Sequence, residues 1–158
     1  DQIRNGGPVT VTVPEMTRVL LSLDQAVDTV FTAIREAKPG ETYVPNAPAA
    51  TVINLAKALI GDRSIEIKIT GIRPGEKMHE IMVSEEEANH CVSRGDYYAI
   101  RPMLPELQAG SALEANALSK EFSSADTVLD HAGTVRLLQA HKLMVGDVDL
   151  SQGDELLR

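Results

Sequence analysis

Two short segments set what this chain can become. Val9-Thr-Val-Thr-Val13 and Ile65-Glu-Ile-Lys-Ile69 both change side-chain character with the period of two that a β-strand imposes. The first is built of apolar and β-branched residues throughout. The second puts isoleucine on one face and charge on the other, the pattern of a half-buried strand. Between them lie two helical segments. Ser22-Leu-Asp-Gln25 has the form of a capping box, and Ala26, Val27, Val30, Phe31 and Ile34 follow at helical spacing until Lys38-Pro-Gly40 stops the run. Thr51 can cap a second helix, with Val52, Leu55, Ala56 and Leu59 on one face and Gly61 at its end. Strands alternating with helices predict an α/β fold.

The remaining elements are shorter. Glu41-Thr-Tyr-Val44 and Tyr97-Tyr98 read as strands, and His79 to Val83 as a strand or a helical turn. After Arg101-Pro102 the character changes. Gln108 to Ser119 is small, polar and alanine-rich, the composition of a linker or arm; Ser123-Ser-Ala-Asp126 is a second capping-type cluster, and Thr134 to Met144 has a helical pattern. The chain closes on an acidic stretch, Asp147 to Arg158, that carries Leu156-Leu157. A lobe over residues 1–102 and an extension over 103–158 is the expected organisation.

Charge and composition exclude several function classes. Residues 1–102 carry eleven Lys/Arg against fourteen Asp/Glu, and 103–158 carry four against nine, so neither part offers the basic face that nucleic acid requires. A phosphate-bearing small molecule needs only one or two placed arginines and stays possible. The single cysteine, Cys91, rules out an internal disulfide and reads as a thiol in a reducing cytoplasm. No apolar run reaches the roughly 18 residues of a membrane span. The chain opens on Asp1 inside what reads as a helix end, which suggests a truncated start.

The segment richest in chemistry is Gly71-Ile-Arg-Pro-Gly-Glu-Lys-Met-His-Glu80. Pro74-Gly75 forces a tight turn that sets Arg73 and Glu76 three residues apart on one side of a loop. An arginine fork suits a diphosphate, and a carboxylate suits the hydroxyls of a ribose. The competing reading is an exposed Arg–Glu pair, worth little. Arg18, between a strand and a capped helix, is a second cation that could share the phosphates; its competing reading is a solvated arginine. The four histidines show no metal-ligand spacing, and Glu85-Glu-Glu87 reads as a solvated face. There is no glycine-rich dinucleotide fingerprint after a strand, no Tyr-x-x-x-Lys and no Walker loop.

Val9-Thr-Val-Thr, Met16-Thr-Arg18, Ser22-Leu-Asp-Gln-Ala-Val27, Tyr43-Val-Pro45 and Gly71-Ile-Arg-Pro-Gly-Glu-Lys77, in that order, resemble the C-terminal half of capsule-type nucleotide-sugar dehydratases and epimerases of the extended short-chain dehydrogenase/reductase superfamily. Arg101-Pro-Met-Leu-Pro-Glu-Leu107 and the closing Glu155-Leu-Leu-Arg158 resemble the family's C-terminal extension. The departures are Val13, where relatives often carry Asp, and Val19, where they often carry an aromatic. The resemblance implies a substrate-binding lobe whose Rossmann domain is missing, followed by a partly helical extension. It implies that Arg18 and Arg73 hold the diphosphate of a UDP-sugar, that Glu76 meets the uridine ribose, and that the backbone at Val9 and Thr10 lies beside the uracil. NAD(P) and the catalytic Tyr–Lys pair are implied for the missing N-terminal domain, with no catalytic, cofactor-binding or metal-binding residue in this chain.

The function so implied is the substrate-binding part of a 5-inverting UDP-N-acetylglucosamine 4,6-dehydratase of capsule or O-antigen synthesis, cytoplasmic and forming a homo-oligomer through its extension. The alternatives are a UDP-glucose or UDP-N-acetylglucosamine 4-epimerase, a non-catalytic UDP-sugar-binding module, and a purely structural assembly domain.

Overall fold

The computed structural model describes residues 1–108 and 114–147. In chain order the elements are β1 (Val9–Val11), β2 (Thr17–Val19), α1 (Leu23–Glu36), β3 (Thr42–Pro45), β4 (Ala49–Thr51), α2 (Val52–Ile60), β5 (Ile67–Ile69) and β6 (Ile81–Val83). They continue with α3 (Glu85–Ala88), β7 (Cys91–Arg94), β8 (Tyr97–Ile100), α4 (Pro105–Gln108), β9 (Phe122–Ser123), β10 (Val128–Leu129) and α5 (His131–Ala140). The expected mixture of α and β is present. The chain forms two compact units, each assembled from separate stretches. Among the described residues, unit 1 takes in Asp1–Thr17, Ala50–Met78 and the chain from Leu129 to Asp147; unit 2 takes in Arg18–Ala49 and His79–Val128.

In unit 1, β1 and β5 pair in parallel, with Val9 opposite Ile67, Thr10 opposite Lys68 and Val11 opposite Ile69. A parallel pair needs a long crossover between its strands. Here the crossover includes α2, whose Ala56 and Ile60 pack with Val9 and Val11 while Ile3, Val52, Ile65 and Ile67 close around them. Thr51 caps α2 by accepting from the Asn54 N–H, and Gly61 ends it at a positive φ of 60°. The expected apolar face, Val52 to Leu59, is only part of what α2 buries. Ala58 and Ile60 are also buried, because α2 meets both β1 and α5.

Both strands are shorter than the alternation suggests. β1 ends at Val11, and the next carbonyl, that of Thr12, accepts from Gly71. Ile65 gives its N–H to Arg63 before β5 begins. α5 starts three residues ahead of the expected Thr134, because Asp130 accepts from the Gly133 N–H at 2.6 Å and sets the N-terminus. It stops short of Met144 where Lys142 takes a φ of 54°, and Leu143 bonds back to the Leu138 carbonyl.

Unit 2 is built on an antiparallel sheet in the order β3-β8-β7. β7 and β8 form a hairpin with Arg94 opposite Tyr97, turning through Gly95-Asp96 with Gly95 at φ 63°. The core joins Val44, Val83, Ala88, Cys91, Ile100 and Phe122, with Met82, Tyr98 and Leu118 against it. Phe122 meets Tyr98 edge-on at 5.1 Å between ring centroids. The acidic run 85–87 forms α3, in which Glu87 completes a capping box with Ser84. The described part of the alanine-rich stretch is anchored, with the Ala117 N–H on the Cys91 carbonyl and Leu118 on the core. Apart from Asp147, the acidic close of the chain, with Leu156-Leu157, lies outside the described residues, as do residues 109–113 within the alanine-rich stretch.

The capping box of α1 is present, Ser22 and Gln25 satisfying each other's backbone N–H groups. Its apolar residues do not line a core. Val27, Val30, Phe31 and Ile34 are all exposed. Among the described residues no helix is long and apolar enough to cross a membrane.

The chain has two phenylalanines, and the structure gives them opposite environments: Phe122 is 4 % exposed and Phe31 is 60 % exposed. Phe122→Ala should lower unfolding free energy by about 3–5 kcal/mol. Phe31→Ala should change it by no more than about 0.5 kcal/mol. Urea denaturation followed by circular dichroism measures both; equal losses would contradict this placement.

Candidate functional site

Within unit 1 the Arg73–Glu76 loop follows the carboxyl end of a parallel ladder, the position at which open α/β sheets bind ligands. The ladder fixes where the loop starts. Beyond β5, Thr70 and Gly71 donate to the carbonyls of Val11 and Thr12, each at 2.9 Å. The turn then closes on itself. The Glu76 N–H reaches the Arg73 carbonyl at 3.1 Å, and the Arg73 N–H reaches Glu76 Oε2 at 3.0 Å. Arg73 Nε stands 3.2 Å from Glu76 Oε1.

The two residues are therefore together, as the spacing predicts. The pair unites the functional and the plain reading, since an internal ion pair holds an arginine that is 75 % exposed. In this geometry Glu76 orients the guanidinium and shares its carboxylate with the loop backbone. An incoming anion would meet a cation already held in place, with little side-chain entropy left to lose.

Val9 is buried in the core below the ladder, whereas Thr10 faces outward. The Thr10 N–H donates to Gln2 Oε1 at 3.0 Å, and Gln2 Nε2 donates to Thr10 Oγ1 at 2.9 Å. A carboxamide that accepts from a backbone N–H and donates beside it has the hydrogen-bonding edge of a uracil imide. Sequence reasoning missed Gln2. Its only signal is a Gln eight positions from the strand, which nothing local marks.

Arg18 lies within β2 rather than between strand and helix, and belongs to unit 2, whereas Arg73, Glu76, Val9 and Thr10 belong to unit 1. Arg18 Nε stands 3.6 Å from Glu80 Oε1. Glu80 is held in turn through its backbone: its N–H reaches Ser124 Oγ and its carbonyl accepts from Ser124 N–H, both at 2.8 Å. Ser123 and Asp126 form a turn and not a helix cap. Asp126 Oδ2 accepts from the Ser123 N–H at 2.8 Å, and Lys120 at its other oxygen, with that backbone bond, holds the Asp126 carboxyl below its usual range.

Among the described residues no group of His, Cys, Asp and Glu could hold a metal ion. A Cβ at Gly71 or Gly75 would meet no protein atom within 4 Å. Both serve turns at positive φ, 81° and 85°.

A charge cluster in unit 2 escaped the sequence reading. Arg94 reaches Glu114 with both terminal nitrogens and Glu41 at 3.3 Å, and Lys38 joins Glu114 at 2.9 Å. The Glu41 side chain is 2 % exposed. Hydrogen bonds from Arg94 and then Lys38 pull the Glu114 carboxyl down from 4.5 to about 2. The same partnership raises the Arg94 guanidinium further above its ordinary value. Burial pushes the Cys91 thiol up, which keeps it protonated and unreactive.

With this geometry in place, comparison with known proteins is decisive at the level of family. The family described as "Polysaccharide biosynthesis protein" matches residues 1–102. The chain belongs to that family. It is 43 % identical over 102 residues to a Rickettsia massiliae protein named UDP-glucose 4-epimerase, covering 63 % of this chain and 30 % of that protein; the figures for its Rickettsia conorii counterpart are the same. It is 37 % identical over 137 residues to an uncharacterized membrane protein of Methanocaldococcus jannaschii, covering 81 % of this chain and 41 % of that one. Among solved structures, the X-ray structure of Pen from Bacillus thuringiensis superposes with a TM-score of 0.75 at 25 % identity, over 91 % of this chain and 43 % of that chain. The chain thus spans less than half the length of these relatives, and corresponds to the C-terminal part of epimerase- and dehydratase-type members.

The Glu114 carboxyl gives a pH signature. Its folded pKa lies below its ordinary one, so its contribution is complete above pH 4.5 and is lost as pH falls toward about 2. Glu114→Gln should therefore lower the melting temperature at pH 7, and the gap to the wild type should close between pH 4.5 and 2. Arg94→Met, which strands the Glu41 carboxylate, should cost on the order of 3 kcal/mol at pH 7. Thermal melts across pH 2–7 read both; a pH-independent gap for Glu114→Gln would contradict the assignment.

Proposed function

We propose that this chain is the UDP-sugar-binding part of a nucleotide-sugar-modifying enzyme of polysaccharide biosynthesis. The observation that carries the reading is the Arg73–Glu76 loop, pre-paired and exposed at the carboxyl end of the β1–β5 ladder. It lies in the stretch that matches the family. Arg73 then binds the diphosphate and Glu76 the ribose. Gln2 marks the uracil edge at Thr10, which it gives up when the base arrives. Arg18, steadied by Glu80, is a further anion-binding cation, within unit 2. Residues 1–102 form the lobe of an extended short-chain dehydrogenase/reductase, and residues 103–158 its extension and oligomer contact.

NAD(P), which this reaction class requires, is held by residues outside this chain. What these residues supply is affinity and orientation of the UDP end, leaving the hexose to the catalytic groups. The motif order of Met16-Thr-Arg18 and Gly71–Lys77 suits 4,6-dehydration of UDP-N-acetylglucosamine and 4-epimerisation alike. The 4-epimerase reading is favoured by the names of the Rickettsia relatives. Proton NMR of UDP-N-acetylglucosamine in D2O with the full polypeptide separates them. A 6-deoxy methyl signal with deuterium at C5 means dehydration; the galacto isomer with unchanged C6 protons means epimerisation.

Binding is tested directly by calorimetry with UDP-N-acetylglucosamine. Arg73→Ala should weaken it by about 1.5–3 kcal/mol, the range for a hydrogen bond to a charged group. Because Arg73 is exposed, the variant should fold normally. Unchanged affinity would remove Arg73 from the site and return the loop to an ordinary surface ion pair.

A further inference from the structure

The turn that precedes β1 carries a reactive pairing. Asn5-Gly6 is the one place in the sequence where an asparagine precedes a glycine; Asn46, Asn54, Asn89 and Asn116 are followed by Ala47, Leu55, His90 and Ala117. Asparagine is a labile residue, because its carboxamide carbon can be attacked by the backbone nitrogen of the next residue. A side chain on that next residue obstructs the approach, and glycine has none.

The structure leaves this approach open. Asn5 and Gly6 are both exposed, and among the described residues the Asn5 carboxamide has no hydrogen-bond partner. Gly6 takes a φ of 85°, and no protein atom lies within 4 Å of where its Cβ would stand. The attacking Gly6 N–H donates to the Ile3 carbonyl at 3.2 Å, the long end of the normal range. The other asparagines are placed differently. Asn116 Oδ1 accepts from Arg101 at 2.9 Å. Asn54 lies within α2, and the nitrogen after Asn89 donates to the Glu87 carbonyl at 2.9 Å. Asn46 precedes the buried Ala47.

We infer that Asn5 is a site of spontaneous deamidation that releases Gln2 from Thr10. The Gly6 nitrogen bonds to Asn5 Cγ. The Cγ–Nδ2 bond breaks, and Nδ2 leaves as ammonia with the Gly6 amide proton. Water then opens the five-membered imide. Addition at Cγ gives aspartate. Addition at the backbone carbonyl carbon gives isoaspartate, whose main chain runs through Cβ and Cγ and is one carbon longer.

That extra carbon lands inside a closed turn. Asn5 N–H donates to the Asp1 carbonyl at 2.9 Å, and Gly7 N–H to the Gln2 carbonyl at 2.7 Å. The β1 side cannot absorb it. A Cβ at Gly7 would stand 2.6 Å from Ile65 Cγ2, so Gly7 is wedged against Ile65, and Val9 is buried in the ladder. The displacement falls on residues 1–4, where Gln2 makes both of its bonds to Thr10. Isoaspartate therefore frees the Thr10 N–H, whereas aspartate only adds a charge to an exposed turn. None of this depends on the UDP-sugar reading.

The chain is aged at 37 °C at pH 6 and pH 8.5, and peptide mapping by mass spectrometry reads the conversion of amide to acid at each asparagine. Asn5 should convert at least tenfold faster than the other four, and faster at pH 8.5, because the attacking nitrogen must lose its proton. Asn5→Gln, which needs a six-membered ring to close, should slow the conversion at least tenfold. Hydrogen–deuterium exchange reads the consequence. In the isolated isoaspartate form the Thr10 amide should exchange at least tenfold faster while the amides of α5 keep their protection; in Asn5→Asp both should match the wild type. Conversion at Asn5 no faster than at Asn46 would overturn the site. An isoaspartate form in which Thr10 stays protected, or in which α5 loses protection as well, would overturn the selective release of Gln2.

Discussion

Unit 1 hangs on the parallel ladder between β1 and β5. Three residue pairs set its register, and that register decides that Ile67 faces the Val9–Val11 core while Glu66 and Lys68 face water. A slip of one residue would exchange those faces and bury two charges. The same register brings the Val11 and Thr12 carbonyls to the N–H groups of Thr70 and Gly71, so the loop bearing Arg73 leaves from a fixed point. α2 and α5 then serve the ladder: α2 covers it and is itself covered. The precision of the candidate site is that of the strands beneath it, because the loop adds only one closed turn beyond them.

How much of this was legible in the sequence follows the range of the forces involved. The Ser22–Gln25 box, the Thr51 cap and the Gly61 stop all act within one helical turn, and the structure contains each of them. The Arg73–Glu76 turn is local too, because Pro74-Gly75 dictates it. Strand ends were less legible, since a strand stops when its partner does, and alternation is silent about partners. The hairpin at Gly95-Asp96 and the capping box at Ser84 have local signals that were passed over, the latter because an acidic run was read as charge alone. α1 shows the deeper limit. Its periodicity announces an apolar face without saying which body covers it.

The candidate site divides in the same way. Arg73 and Glu76 could be paired from spacing, but the carboxylate facing Arg18 comes from a segment far along the chain and is fixed by Ser124, further still. The contact of Gln2 with Thr10 joins a turn to a strand through side-chain geometry that no period encodes. Family membership rests on the match over residues 1–102, which records such long-range arrangements without explaining them.

The cluster of Lys38, Glu41, Arg94 and Glu114 straddles position 102, where the family match ends. Two cations and two carboxylates make it electrically neutral only while both sides of that position are present. Exchanging the segment after residue 102 with that of a relative would leave an excess positive charge beside a side chain already sealed from water, unless the incoming segment brought its own acid to the same place. The tail is thus bound to the lobe by a rule of electroneutrality, and the two are expected to change together whenever sequences in this family are recombined.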